Sequence, residues 1–285
     1  MMVDATHTMT LRTNYEEMYN NIQTALTSYL VVGQLKSLVL GVSGGIDSAL
    51  AAALAKPVCD KLHIPLIGAS ISIETNTSEE EVRAEKVMKH FCASVIKEDF
   101  TALYMNLRFK FGSYAGYMNE SEMQRKIRHG NIKARMRMIY LYNLAQSHKG
   151  LVLSTDNYTE YLLGFWTLHG DVGDYGMFQN LWKTEVYGLS QWIVNNRLET
   201  PGSKAALQAC IDAMPTDGLG ITNSDLDQIG CKTYAEVDQH LLSLFFDYKQ
   251  PEDRSEECSK IYERFEKSGF KRKSPFNLER SRIIG

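Results

Sequence analysis

The sequence predicts an α/β protein: a doubly wound, mostly parallel sheet flanked by helices, with a helical C-terminal part. Three observations predict this class. Short apolar runs alternate with helical patterns over the first half of the chain, one of these runs enters a glycine-rich turn and an alanine-rich helix, and the last third contains helical patterns. Such alternation gives parallel strands joined by right-handed crossovers. Ligands bind these sheets at the carboxyl ends of the strands.

The N-terminal elements are predicted from apolar spacing and from local stop signals. Apolar residues recur with helical spacing over Tyr15–Leu30, and the unbroken apolar run Leu38–Val42 is typical of a strand buried on both faces. The alanine-rich helix from Ser48 is predicted to end or kink near Pro57, because proline lacks an amide hydrogen. The next predicted elements are a strand over Pro65–Ser72, a helix opened by a capping box at Ser78 and ending near Phe91, a strand over Ala93–Ile96, a helical stretch from Thr101 and a loop over Gly112–Tyr117.

The second half is predicted to add one long helix, one strand and a helical end. Helical spacing covers Asn131–His148, and Gly150 suits the C′ position that closes a helix. The apolar run Leu151–Ser154 predicts a strand, and the glycines of Gly164–Gly176 predict a mobile loop that closes on a ligand. The remaining predicted helices are Lys183–Asn195, Ser203–Met214, Tyr234–Phe246 and Glu256–Lys267. No repeat or linker divides the sequence, so residues 1–285 are predicted to form a single domain.

The composition of the chain argues against several classes of partner. Its 285 residues carry a net charge of −3, without the excess of basic residues that nucleic-acid binding requires. No apolar run approaches the length of a membrane span, and the five scattered cysteines form no disulfide or metal-binding pattern. We therefore expect a cytoplasmic protein with reduced thiols and with neither a nucleic-acid nor a membrane partner.

The most specific motif is the strand, turn and helix that begin at Ser37 and include Ser43–Ser48. Two glycines allow a tight turn with its amide groups directed inward, and the next helix adds the positive end of its dipole. This arrangement suits an oligophosphate, although a Gly-Gly pair after a strand is more often only a turn. The motif lacks the Gly-Lys-Ser/Thr of a Walker A loop. It is similar instead to the pyrophosphate loop of enzymes that split ATP between its α- and β-phosphates.

Carboxylates near the predicted strand ends suggest a metal site. Thr155 and Asp156 follow the strand that ends at Ser154, and Glu160 comes one helical turn later. A carboxylate there can hold Mg²⁺ together with Asp47 of the phosphate loop, and the metal would bridge the phosphates of a nucleotide. Capping of a helix N-terminus is the alternative role for such an acidic pair.

Two basic segments are candidates for binding an anionic substrate. Lys133, Arg135 and Arg137 cannot share one helical face, so at least one of them is expected to point inward or into a cleft. A solvated basic stripe is the alternative. The basic tail that begins at Lys271 is usually a solvated end, but it can also fold over an anionic substrate.

With these residues assembled, the chain resembles the ammonia-dependent NAD synthetases. The resemblance runs from about Tyr15 to Pro275, with matching blocks in the same order and with similar spacing. The blocks are Ser37–Ser48, Gly130–Met138, Thr155-Asp156 with Glu160, Gly164-Phe165 with Thr167, Gly170-Asp171 with Gly173-Asp174, Lys183, Pro215-Thr216 and Lys271-Arg272. The resemblance implies an adenine nucleotide alpha hydrolase-like fold. It also implies that ATP adenylates the nicotinate carboxylate of deamido-NAD and that ammonia then displaces AMP.

The resemblance further implies roles for individual residues. Asp47 and Glu160 are expected to ligate Mg²⁺, and Asp47 and Lys183 are expected to assist catalysis electrostatically. The implied ATP contacts are Gly41, Val42, Ser43, Gly44, Gly45, Ile46, Asp47, Ser48, Thr155, Lys183 and Thr216, and the implied deamido-NAD contacts are Arg135, Asp174 and Lys271. A homodimer is implied as well. No glutaminase domain is expected, because only some forty residues precede the phosphate loop.

Departures from the family pattern concentrate where the nicotinate would bind. Leu168 and Phe270 stand where the family has Lys and His, and the glycine loop is one residue shorter. Asn157 replaces a further His, and no Arg is present over Ala69–Ser72, where the family has one. Two alternatives therefore stay open. One is another pyrophosphate-loop ligase that adenylates a different carboxylate or carbonyl acceptor, and the other is a non-catalytic nucleotide-binding relative.

Overall fold

A five-stranded parallel sheet forms the centre of the protein. The computed structural model describes residues 10–74, 77–111, 120–215, 225–246 and 255–284. The strands are β1 (Leu38–Gly41), β2 (Leu66–Ser72), β3 (Ser94–Asp99), β4 (Leu151–Ser154) and β5 (Tyr175–Gly176). Their order is β3-β2-β1-β4-β5, and each neighbouring pair is parallel. Because the order reverses between β1 and β4, a crevice opens there at the carboxyl ends of the strands.

Helices cover both faces of this sheet. They are α1 (Tyr15–Val32), α2 (Ile46–Leu62), α3 (Ser78–Phe91), α4 (Thr101–Phe111), α5 (Glu122–Ser147), α6 (Tyr158–Leu163), α7 (Lys183–Asn196), α8 (Pro201–Ile211), α9 (Asp225–Ile229), α10 (Tyr234–Phe246), α11 (Glu256–Lys267), α12 (Gly269–Arg272) and α13 (Arg280–Ile284). The predicted class, a doubly wound parallel sheet with a helical C-terminal part, is confirmed. Among the described helices, none combines the length and the apolarity that crossing a bilayer requires.

The unbroken apolar run of β1 reflects burial on both of its faces. Leu38 and Leu40 belong to a core shared with α1, α2, α3, α7 and α8, whereas Val39 between them packs in a cluster with Ala145 of α5. All three strand side chains are fully buried. A strand with alternating polar residues would leave one of these helical layers without an apolar partner.

A second, smaller core packs the C-terminal helices against α6 and the start of α7. It joins Leu162 and Leu163 of α6 to Val237 and Leu241 of α10 and to Ile261 of α11. Trp182, immediately before α7, is buried in the same cluster. This core fixes the C-terminal end of α6 and the start of α7.

Several predicted boundaries are wrong. Helix α2 does not end at Pro57, which was one of the two predicted outcomes there, and the Gln23 side chain donates to the Leu54 carbonyl in the same region of the helix. The capping box of α3 uses Thr77 and Glu80, one residue earlier than predicted. The loop predicted over Gly112–Tyr117 lies outside the described residues.

The region from the long helix to β5 also differs from the prediction. Helix α5 begins at Glu122, nine residues earlier than predicted. Lys149, not Gly150, adopts a left-handed conformation after it, with a φ of 53°. Gly150 is required for another reason, because a Cβ atom there would lie 2.4 Å from the Ser37 carbonyl oxygen. The short strand β5 was not predicted.

Candidate active site

A cavity of about 410 Å³ opens at the switch point of the sheet. Its walls come from the phosphate loop after β1, the ends of β2 and β4, helix α5, the segment between α6 and β5, and the start of α7. Of the predicted ATP contacts, the cavity is lined by Gly41, Val42, Ser43, Gly45, Ile46, Asp47, Ser48, Thr155 and Lys183. The predicted Thr216 lies outside the described residues.

The phosphate loop is held in shape by its own serine side chains. Gly45 donates its amide hydrogen to Ser43 Oγ at 3.2 Å, and Ser43 donates its own to Ser48 Oγ at 3.3 Å. Ser48 Oγ in turn donates to the Gly45 carbonyl at 3.1 Å. Helix α2 begins at Ile46 without a side-chain cap, so its first amide groups and the positive end of its dipole remain available to an anion.

Helix α3 packs directly on the outer side of this loop. Gly44 has a φ of 84°, and a Cβ atom there would lie 2.3 Å from the Glu80 carbonyl oxygen. Only glycine satisfies both conditions. Arg83, one turn further along α3, donates from Nε to the Gly44 carbonyl at 3.0 Å and also lines the cavity. A guanidinium therefore stands beside the loop that is expected to receive phosphates.

Lys183 lies between the two carboxylates that were predicted to bind a metal. Its Nζ is 2.6 Å from Asp47 Oδ2 and 2.8 Å from Glu160 Oε1. Asp47 is in the first turn of α2, Glu160 in the first turn of α6, and Lys183 is the first residue of α7. Three helix N-termini thus meet at one point. Burial alone lowers the pKa of the Lys183 ammonium, but the charges of Asp47 and Glu160 raise that pKa well above its ordinary value.

Asn157 links the two carboxylate-bearing helices. Its side-chain amide donates to Asp47 Oδ1 at 2.9 Å, and its side-chain oxygen accepts from the Glu160 amide at 3.1 Å as the N-cap of α6. The residue that replaces the family's histidine is therefore fully buried and makes structural hydrogen bonds.

Asp47 and Glu160 fit a hard divalent cation. Their carboxylate oxygens already face one positive charge, the Lys183 ammonium. Mg²⁺ is usually held by one or two carboxylates together with phosphate oxygens and water, rather than by a cage of protein ligands. Asp47 and Glu160 supply the two carboxylates that this pattern requires.

Two further acids, Asp156 and Asp171, line the cavity. Burial raises the pKa of the Asp156 carboxyl well above its ordinary value, and the charges of Asp171 and Glu160 add to this effect. Asp156 Oδ2 accepts a hydrogen bond from Ser154 Oγ at 3.1 Å. Asp171 is open to the cavity, yet enclosure by protein raises the pKa of its carboxyl to about 6. Asp171 Oδ1 accepts from the Thr167 amide.

The wall opposite the phosphate loop combines aromatic and basic side chains. Lys271 Nζ donates to the Gly164 carbonyl at 2.7 Å and also to the Trp166 carbonyl. The Arg264 guanidinium stacks 3.7 Å from the centre of the Phe165 ring. These four side chains and the backbone of Gly164 all line the cavity. Lys271 is therefore not a solvated end but a part of the site.

The basic segment of α5 divides between the interior and the surface, as predicted. Lys133 is buried and pairs with Glu74 at 3.2 Å, and Arg137 donates to the Ile71 carbonyl at 3.0 Å and lines the cavity. Arg135 is exposed and donates to the Leu168 carbonyl instead. Its exposure follows from the helical period, which turns residue 135 away from residues 133 and 137.

Two of the predicted dinucleotide contacts in the described residues do not line the cavity: Arg135 and Asp174. Asp174 accepts from the Val152 amide at 3.0 Å and from the Tyr142 hydroxyl at 3.0 Å. It thereby joins the glycine loop to β4 and faces a shallow groove beside α1. The C-terminal end of the loop predicted to be mobile is anchored here, because β5 pairs with β4 immediately after Asp174.

Sequence reasoning missed several residues that surround the cavity. Asn157 was noted only as a departure from the family motif, and its hydrogen bond to Asp47 was not predicted. Arg83 and Arg264 belong to no motif and lie on ordinary amphipathic helices, so the sequence carries no signal for them. The proximity of Asp156 to Asp171 likewise follows only from the folded structure.

Comparisons with known proteins agree with this geometry. A family model described as NAD synthase matches residues 18–275. An NH(3)-dependent NAD(+) synthetase of Mycoplasma genitalium is 32% identical over 231 residues, which make up 80% of this chain and 84% of that protein. The solved structure of an NMN synthetase from Francisella tularensis matches with a TM-score of 0.75 and 25% identity, covering 93% of this chain and 99% of that one. An NH3-dependent NAD synthetase structure from Campylobacter jejuni matches with a TM-score of 0.69 and 21% identity, covering 94% and 100%, which bears on the fold alone.

Proposed function

The chain belongs to the NAD synthase family, and we propose that it amidates deamido-NAD to NAD with ammonia and ATP, releasing AMP and pyrophosphate. The observation that carries the proposal is the position of Lys183. Its ammonium lies between Asp47 and Glu160, beside a loop built to bind phosphates, and all of them face one cavity. A simple nucleotide-binding protein has no need of a charge cluster at this point.

The reaction requires no nucleophile from the protein. A carboxylate oxygen of the substrate forms a bond to the α-phosphorus of ATP, and the bond to the departing pyrophosphate breaks. Ammonia then forms the C–N bond to the activated carbonyl carbon, the C–O bond to AMP breaks, and a proton is released. Positioning and electrostatic stabilisation are therefore the tasks left to the chain.

The residues of the cavity suit those tasks. The amide groups around Gly45 and the hydroxyls of Ser43 and Ser48 are proposed to hold the phosphates that leave as pyrophosphate. Lys183 is proposed to stabilise the charge that develops at the α-phosphate. Thr155 at the end of β4 is a proposed ATP contact, and so is Thr216.

Mg²⁺ is the proposed metal, and Asp47 and Glu160 would hold it. When bound, it would neutralise charge on the phosphates of ATP. The chain's own contribution is the placement of these two residues, since Asn157 bonds to the Asp47 carboxylate and to the Glu160 amide. Lys271 is the residue proposed to contact the acid substrate in the cavity. In this structure Arg135 contacts the Leu168 carbonyl and Asp174 contacts β4.

A second candidate acceptor is the corresponding mononucleotide, the nicotinate analogue of NMN. The structural likeness to an NMN synthetase favours it, and so does the altered acceptor end, where Leu168 and Phe270 replace basic residues of the family pattern. The chemistry at the α-phosphate would be the same. Only the part of the site that binds the acid substrate beyond its nicotinate carboxylate would differ.

A product assay on the purified protein tests both candidates. ATP, Mg²⁺ and an ammonium salt are supplied with either deamido-NAD or the mononucleotide acid. Equal amounts of amide, AMP and pyrophosphate support the proposed reaction, and the kcat/KM ratio of the two acids identifies the acceptor. Release of ADP and phosphate, or no product with either acid, rejects the proposal. Omission of the ammonium salt is the control for the nitrogen source.

We also propose that the enzyme is a cytoplasmic homodimer built from a single NAD synthetase domain. All five cysteines are free thiols, which suits a reducing compartment. Helices α4 and α5 expose large apolar side chains, among them Phe109 at 85% and Ile139 at 65% exposure. Exposed apolar side chains of this size favour contact with another protein, and a second copy of the chain is the proposed partner.

A further inference from the structure

A buried carboxylate on α10, Asp238, lies outside the cavity but is joined to its most important lysine. Asp238 is fully buried and was not singled out by any sequence motif. Its Oδ1 accepts from Thr159 Oγ1 at 2.5 Å, and its Oδ2 accepts from the Thr184 amide at 2.9 Å and from Thr184 Oγ1 at 2.6 Å. Thr159 Oγ1 also accepts from the Lys183 amide at 2.9 Å.

The partners of Asp238 are the direct neighbours of the charge cluster in the sequence. Thr159 precedes Glu160 in α6, and Thr184 follows Lys183 in α7. The carboxylate therefore ties the first turns of both helices to α10. Its negative charge also lies at the N-terminus of α7, where a helix dipole favours an anion.

Helix α10 contacts Lys183 a second time. The ring of Tyr234, one helical turn before Asp238, has its centre 5.1 Å from Lys183 Nζ. Val237 and Leu241 of the same helix are fully buried in the C-terminal core. The position of α10 thus rests on apolar packing, and the helix can serve as a rigid support for Lys183.

We propose that Asp238 is a positioning residue for the amidation reaction: through Thr159 and Thr184 it fixes the start of α7, so that Lys183 reaches the reacting phosphate. This inference rests on the proposed function for its kinetic consequence only. Three donors converge on Asp238, and only a carboxylate offers acceptors to all of them. An amide at this position turns its NH₂ group toward one of the donors.

Asp238→Asn is the first test, and a double-mutant cycle with Lys183→Met is the second. If Asp238 acts through Lys183, Asp238→Asn lowers kcat about 10- to 100-fold in the native background and less than about 2-fold in the Lys183→Met background. The KM for ATP is expected to change by less than about 3-fold, because the lost interaction strengthens in the transition state. Equal losses of kcat in both backgrounds would overturn the proposal.

Two further variants separate positioning from other effects. Thr159→Val keeps the Asp238 charge but removes the link to the Lys183 amide, so we expect the same loss of kcat. Glu185→Gln is the matched control, since Glu185 is also buried at the start of α7 and accepts from the Trp182 amide at 2.9 Å. Glu185 has no hydrogen bond to Thr159 or Thr184 among those described. The kcat of Glu185→Gln should therefore stay near the native value. A fall in Glu185→Gln as large as in Asp238→Asn would mean that helix capping alone explains the effect.

A crystal structure of the Asp238→Asn variant tests the positioning role without any measurement of enzyme activity. We expect Lys183 Nζ to leave its positions near Asp47 and Glu160, with α10 unmoved. Retention of both contacts at 2.6 and 2.8 Å would refute the positioning role. This readout remains valid if the enzyme accepts neither acid or if Lys183→Met has no measurable activity, so failure of the proposed function is distinguishable from failure of this inference.

Discussion

Lys183 Nζ lies 2.6 Å from Asp47 Oδ2, although 136 residues separate the two in the chain. Lys183 is 3% exposed and the Asp47 side chain 18% exposed, so the pair is only partly screened by solvent. A second carboxylate, Glu160, lies on the same ammonium at 2.8 Å. The protein thus places a cation of its own where the two carboxylates converge, and a divalent ion bound there would share these carboxylates with Lys183.

Removing the ammonium should make the protein depend on a divalent ion for stability. Lys183→Met removes the ammonium that pairs with both carboxylates, and breaking a buried pair in this way costs about 3–5 kcal/mol. We expect a lower melting temperature that Mg²⁺ partly restores, measured by thermal denaturation with and without the ion. Lys56→Met, which breaks the exposed pair with Asp60, is the control and should change stability by about 0–1 kcal/mol without a response to Mg²⁺. A Lys183→Met protein as stable as the native one would contradict this account.

Loss of either carboxylate should abolish turnover but preserve the fold. Asp47→Ala and Glu160→Ala are each expected to reduce kcat by at least about 100-fold, since a charge-stabilising group is lost. Circular dichroism checks folding, and the product assay measures the rate. Asp60→Ala, on the exposed C-terminal part of α2, is the control. Near-normal rates in either site variant would remove the metal assignment.

Arg83 should matter for ATP binding, although no motif identified it. Its guanidinium contacts the Gly44 carbonyl and lines the cavity beside the phosphate loop. Arg83→Met is expected to raise the dissociation constant for ATP about tenfold, which corresponds to about 1.4 kcal/mol. Isothermal titration calorimetry measures this constant. Lys86→Met removes an exposed charge from the same helix and should leave it unchanged; equal effects of the two variants would show that Arg83 acts only through net charge.

Asp156 should make the native protein less stable as the pH rises. Burial raises the pKa of this carboxyl in the folded state, so the folded state binds the proton more tightly than the unfolded state does. The stability contributed by the neutral acid is present below the ordinary aspartate pKa and is lost as the pH rises through the folded-state value. Asp156→Asn keeps an acceptor for Ser154 and removes the ionisation. In urea unfolding between pH 4.5 and 8.5, we expect the variant to gain stability over the native protein with rising pH; a constant difference would be inconsistent with the raised pKa.

The proposed dimer can be tested at the apolar surface of α4 and α5. Ile139→Glu places a charge on a 65% exposed apolar position, and burial of that charge against a second copy would be unfavourable. We expect sedimentation velocity to show a dimer for the native protein and a shift toward monomer for the variant. Ala205→Glu adds the same charge on the exposed side of α8 and should remain dimeric. A native protein that sediments as a monomer at working concentration would reject the dimer.

Local sequence patterns predicted most of the fold. The apolar runs of β1, β2 and β4 and the helical spacing of α1, α7, α10 and α11 identified these elements within a few residues. The boundaries that failed have tertiary causes. Helix α2 continues past Pro57 in a thoroughly buried setting, where packing outweighs the loss of one hydrogen bond. The two-residue β5 exists only because β4 offers an edge for it.

The candidate site was predictable where its residues belong to motifs at helix starts. Asp47, Glu160 and Lys183 came from three separate blocks of the sequence, and the parallel sheet brings them together. Asp174 belongs to an equally clear block, yet its carboxylate accepts hydrogen bonds from the Val152 amide and the Tyr142 hydroxyl. A motif gives a residue's place along the chain but not the direction of its side chain.

The sequence by itself determined the phosphate loop, the parallel α/β class and the family resemblance, because these depend on glycine conformations, hydrophobic periodicity and the spacing of short motifs. The tertiary structure alone decided which charges meet. Contacts between residues on different helices are fixed by strand order and by helix packing, and neither leaves a local signal. The Asp238–Thr159–Lys183 linkage is of this kind, since its three members lie on three helices that only the folded chain brings together.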